Sequence, residues 1–121
     1  MTFNTAKPIL LVEDNEDDIF PMRRALKAAG VQNPLFVVGD GVDAVSYLDG
    51  ERRFADRSTF PMPSLVLLDW KLPRKSGRDV LAWIRGQSAL DPVLVVVLTS
   101  SAAQRLHAES ELIPGQTAEC G

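Results

Sequence analysis

A chain of 121 residues, with 13 Lys and Arg against 16 Asp and Glu and a formal net charge of −3, has room for one domain of ordinary size and excludes two independent cores. Its 45% hydrophobic and 24% charged content is that of a globular chain rather than a disordered one, and the acidic balance leaves no broad basic surface for nucleic-acid phosphates. The single Cys120 and single His107 exclude an internal disulfide and a usual zinc site, and the apolar start at Pro8 is too short for a signal-peptide core or a membrane span, so a cytoplasmic protein without membrane or nucleic-acid partners is expected.

In chain order, the first element is the run Ile9-Leu10-Leu11-Val12. It lacks polar interruption, as a strand buried on both faces does. The period of the next segment predicts a helix over residues 16–29, N-capped by Asn15, with Glu16, Asp17 and Asp18 complementing its positive end and Gly30 stopping it. Ile19, Met22, Leu26 and Ala29 make its apolar stripe, and Pro21 falls in the tolerant first turns. A second strand follows at Leu35-Phe36-Val37-Val38. A short helix over residues 43–48 is expected to bury Val42, Val45 and Leu48 between the turns Gly39-Asp40-Gly41 and Asp49-Gly50. Residues 51–63, with three Arg and two Pro and no useful period, read as a surface loop.

The third strand is Leu65-Val66-Leu67-Leu68, and Val80, Leu81, Trp83 and Ile84 predict a helix over residues 78–85 closed by Gly86. Both Trp70 and Trp83 read as packing groups. The fourth strand is the run from Val93 to Leu98. Beyond Ser100 a weak helix is expected through Ala102, Ala103 and Leu106, then Pro114-Gly115 and a disordered tail over residues 113–121, with His107 exposed. Strand and helix patterns alternate, so the expected class is α/β with helices packed on a parallel sheet.

Chemistry concentrates where strands end. Glu13 and Asp14 close the first strand, Asp69 the third and Thr99 the fourth, and ligands of open α/β sheets bind at that carboxyl edge. Any one of these acids alone is explained as a cap. Together they would repel one another without a cation, and hard oxygen ligands suit Mg²⁺.

The segments Ile9-Leu10-Leu11-Val12-Glu13-Asp14-Asn15, Leu67-Leu68-Asp69-Trp70-Lys71-Leu72-Pro73 with Gly77, and Val96-Val97-Leu98-Thr99-Ser100 resemble the receiver domain of two-component response regulators. The resemblance covers residues 7–101 and is strongest to the single-domain regulators that partner phytochrome-type histidine kinases. It implies a flavodoxin-like doubly wound sheet of order 2-1-3-4-5. It further implies phosphoryl transfer from a kinase phosphohistidine to Asp69, with Mg²⁺ held by Glu13, Asp14, Asp69 and the backbone carbonyl of Lys71. Thr99 matches the switch hydroxyl that bonds the new phosphoryl group, and Ser100 leaves space beside it.

After Ser101 the chain matches the family only loosely. The fifth strand with its Lys, and the fifth helix, have no counterpart, so a shortened receiver over residues 1–112 with strand order 2-1-3-4 is expected. The ammonium of Lys71 is expected in solvent rather than in place of that Lys. An apolar fourth strand left at an edge seeks a partner, and a homodimer through that strand or through exchanged C-terminal tails is expected. Two other functions follow from the same residues. One is a remnant receiver that binds protein partners without being phosphorylated. The other is a hydrolase using Asp69 as covalent nucleophile, disfavoured because Lys71 stands where an Asp-x-Asp phosphatase has its second acid.

Overall fold

Four apolar runs become the four strands of one parallel sheet, β1 (Ile9–Val12), β2 (Leu35–Val38), β3 (Leu65–Asp69) and β4 (Leu94–Leu98), in the order β2-β1-β3-β4. The computed structural model describes residues 7–98. Thr99, Ser100, the expected weak helix, His107, Cys120 and the tail over residues 113–121 lie outside the described residues.

Between the strands run α1 (Glu16–Ala28), α2 (Gly41–Asp49) and α3 (Gly77–Arg85). Each begins at a side-chain cap that satisfies a free backbone N–H. Asn15 accepts from the Asp17 amide, Asp40 from the Asp43 amide and Ser76 from the Asp79 amide. Gly50 ends α2 in the left-handed conformation, with φ 69°, which its missing Cβ permits.

The strand period of two divides the core into two layers. Leu10, Val12, Val66, Leu68 and Val95 pack with α2 and α3 through Ala44, Tyr47, Leu48, Val80 and Ile84. On the opposite face Ile9, Leu11, Leu67 and Leu98 pack with Ile19, Met22 and Leu26 of α1. The parallel sheet with packed helices expected from the alternating pattern is therefore present, wound on both faces as the resemblance implied, and among the described residues the sheet has four strands.

Several local expectations are corrected. The second helix starts at Gly41 rather than residue 43 because Asp40, not a later residue, is its cap. Its buried face is Ala44, Tyr47 and Leu48, while Val42 and Val45 are half-buried. Ala29 is exposed and caps α1 instead of extending its stripe. The segment 51–63 is not a simple surface loop. A 3-10 turn at Arg52–Phe54 buries Phe54, and Phe60 and Met62 pack on the core. Aromatic rings carry this packing, with Phe36, Tyr47, Phe54 and Phe60 meeting at centroid separations of 5.1–6.0 Å. Trp83 packs against the same core as expected.

Candidate functional site

Register brings the acids together. Val12 of β1 stands beside Leu68 of β3, so the next residues, Glu13 and Asp69, leave the sheet as neighbours on strands about 4.8 Å apart. Backbone hydrogen bonds hold both ends, from the Glu13 amide to the Val38 carbonyl and from the Trp70 amide to the Leu98 carbonyl, each 3.0 Å. Asp14 lies in the turn between β1 and the Asn15 cap of α1. The result is a cluster in which carboxylate oxygens of Glu13, Asp14 and Asp69 all lie within 4.8 Å of one another.

Burial gives that cluster its chemistry. Glu13 and Asp69 are each 2% exposed, whereas Asp14 is open to solvent. Carboxylates this close destabilise one another's charged form, and burial adds to the cost. Hydrogen bonds from the Asn15 amide to Glu13 Oε2 (3.3 Å) and from the Lys71 amide to Asp69 Oδ1 (3.2 Å) offset part of it. Three hard oxygen donors with one side open to water fit an oxygen-preferring divalent cation that retains several waters. They offer no soft or nitrogen donor to select zinc or copper.

The loop over residues 70–76 covers this edge. The whole loop is closed where the Gly77 amide donates to the Trp70 carbonyl at 3.1 Å, and a Cβ at Gly77 would run into the Asp69 carbonyl oxygen. The Lys71 side chain is exposed, as expected from its place in a loop, while its backbone lies over Asp69. At the crest of the loop, Arg74 has φ 66° and its guanidinium meets Asp40 at the cap of α2, Nε to Oδ2 at 2.9 Å. Neither Arg74 nor Asp40 stands out in the sequence, because nothing local marks a contact across 34 positions.

The structure thus brings together Glu13, Asp14 and Asp69 and places the Lys71 backbone beside them. Asp69 pairs in register with Leu98, the last described residue before Thr99.

Known proteins resemble this chain in sequence and fold. The response regulator Rcp1 of Synechocystis sp. is 37% identical over 110 residues, 91% of this chain and 69% of Rcp1. The crystal structure of its Mn(2+)-bound form matches with a TM-score of 0.70 and 38% identity, covering 79% of this chain and 67% of that one. The phosphorylated cyanobacterial phytochrome response regulator RcpA matches with a TM-score of 0.71 and 41% identity over 80% of this chain and 67% of that one. The bacteriophytochrome response regulator AtBRR matches with a TM-score of 0.74 and 36% identity over 89% and 76%. No protein-family model matches the chain.

Proposed function

This chain belongs to the phytochrome-associated receiver domains of two-component response regulators, and on that premise we propose that it accepts a phosphoryl group on Asp69 from a phytochrome-type histidine kinase, with Mg²⁺ as cofactor. The observation that carries the proposal is the convergence of Glu13, Asp14 and Asp69 oxygens within 4.8 Å at the carboxyl edge of the sheet. Similarity to a regulator solved with Mn(2+) and to one solved phosphorylated supports it.

In this reading Asp69 is the nucleophile. One of its carboxylate oxygens forms a new bond to phosphorus as the bond from phosphorus to the kinase histidine nitrogen breaks, and the departing imidazole leaves neutral, with its proton. Glu13, Asp14, Asp69 and the Lys71 carbonyl hold the cation, which when bound offsets repulsion between the carboxylate and the phosphoryl oxygens. The Lys71 amide orients Asp69 through the bond to Oδ1. Thr99 donates its hydroxyl to the phosphoryl group once that group is on Asp69, as the switch residue, and small Ser100 leaves space beside it. No turnover beyond this self-modification is expected, and the working compartment is the cytoplasm. Among the described residues no helix is long and apolar enough to cross a membrane.

Intact-mass measurement after incubation with Mg²⁺ and a small phosphodonor tests the reading. One added phosphoryl group, lost in Asp69→Asn, is the expected result. No addition under conditions that label an ordinary receiver would leave the unphosphorylated interaction module, and steady turnover of phosphate esters would indicate the hydrolase.

Self-association along β4 belongs to the same proposal. Among the described residues β4 pairs only with β3, and Leu94 at its start is 45% exposed, features of an edge that favours pairing. Light scattering across a concentration series checks it, since a monomer throughout removes the homodimer.

A further inference from the structure

The loop that covers the acidic site is fastened at a point remote from the acids. Arg74 sits at its crest with φ 66°, a left-handed conformation that side chains other than glycine disfavour and that persists only where surrounding contacts enforce it. One is a backbone bond across the turn, from the Lys75 amide to the Pro73 carbonyl at 2.7 Å, and the others are ionic. Nε and a terminal nitrogen of Arg74 reach Asp40 Oδ2 at 2.9 and 2.8 Å, and the terminal nitrogen lies 3.6 Å from Asp43 Oδ1. Asp40 is a fixed anchor because its other oxygen accepts the Asp43 amide at 2.7 Å and its side chain is only 16% exposed.

The backbones beneath this pair are in close contact. The Gly41 amide points to the Pro73 carbonyl at 3.5 Å, and a Cβ at Gly41 would collide with the Lys75 carbonyl. The loop therefore rests on the first turn of α2 at one end and bonds Asp69 through the Lys71 amide at the other.

We propose that Arg74 is a positioning residue for the acidic site: its ion pair with Asp40 pins the loop over residues 70–76 to the start of α2, and so holds the Lys71 peptide in the place from which it serves the metal. This rests on the metal-dependent phosphoacceptor reading above. The pair couples α2 to cation binding without touching the cation.

Calorimetric titration of the full chain with Mg²⁺, far below the unfolding temperature, tests the inference. Asp69→Asn serves as the control that should abolish binding. Arg74→Ala is expected to weaken Mg²⁺ binding about two- to fivefold, the range open to a well-formed surface pair, and Arg74→Lys is expected to recover part of the loss. Asp40→Asn keeps a good helix cap and should weaken binding by a similar factor, with no further loss in the double variant. A purely structural contact would lower thermal stability and leave the Mg²⁺ dissociation constant unchanged. Wild-type affinity in Arg74→Ala, or in Arg74→Gly, which relieves the backbone strain and removes the pin, overturns the inference while the site stands. Failure of the unaltered chain to bind Mg²⁺ overturns both.

Discussion

Tyr47 is fully buried and donates its hydroxyl to the Pro61 carbonyl at 2.9 Å. Burial pushes the phenol from its ordinary 10.0 up to about 12, against the opposing charge of Arg57. The folded chain keeps this proton where the unfolded chain has lost it, so stability should fall as pH rises from about 10 towards 12. Tyr47→Phe is expected to lose about 1 kcal/mol at neutral pH, the worth of one hydrogen bond, and to show a flatter alkaline limb in urea unfolding. Ser64 presents the opposite case. Its hydroxyl oxygen is buried without a hydrogen-bond partner among the described residues, so Ser64→Ala should be neutral or stabilising by up to about 1 kcal/mol in the same assay. At Gly77 there is no room for a side chain beneath Asp69. Gly77→Ala should cost about 1–3 kcal/mol, as overpacking does, and weaken Mg²⁺ binding as the loop shifts.

At the scale of elements, α2 is held at both ends by arginines from outside the helix, Arg57 close in sequence and Arg74 far from it. At its C-terminal end Arg57 donates to the Tyr47 and Leu48 carbonyls at 2.8 and 2.9 Å and to Phe60 at 3.0 Å, satisfying carbonyls that the helix leaves open and tying the segment 51–63 to it. Arg57→Ala is expected to cost on the order of 2 kcal/mol or more by chemical denaturation, because charged donors to several carbonyls are lost together. At the N-terminal end partial burial raises Asp40, but the hydrogen bond from Arg74, the Asp43 amide and the Arg74 charge outweigh it and hold the carboxyl below its usual 3.8. A lowered folded value means stabilisation that is present above about pH 4 and lost as pH falls through the folded value. Stability measured between about pH 5 and 3 should therefore fall less steeply in Asp40→Asn than in the unaltered chain.

For the whole molecule, the acids of β1 and β3 join two strands that already share a register, so a cation bound there stabilises the native state by mass action. At a concentration about 100 times its dissociation constant the gain is about 2.7 kcal/mol, visible as a rise of about ten degrees in Tm for a domain of this size. The rise should vanish in Asp69→Asn. Among the described residues of the cluster Asp14 is the exposed member, whereas Glu13 and Asp69 are buried.

Much of this fold was legible in the sequence because strands buried on both faces are uninterrupted apolar runs. The extents of β1 and β2 and the cap of α1 at Asn15 follow from local pattern alone. So does the arrival of Glu13 and Asp69 at strand ends, since parallel strands with crossover helices must present those ends on one edge. Tertiary structure decided the rest. Tyr47 is buried because the aromatic residues of the segment 51–63 fold back onto it, and that segment has no period of its own to announce a core. Arg74 meets Asp40 only after β1, β2 and β3 have come into register and carried the two loops to the same edge of the sheet. Periodicity reports the face on which a residue lies, whereas contact between distant turns depends on how whole elements are stacked.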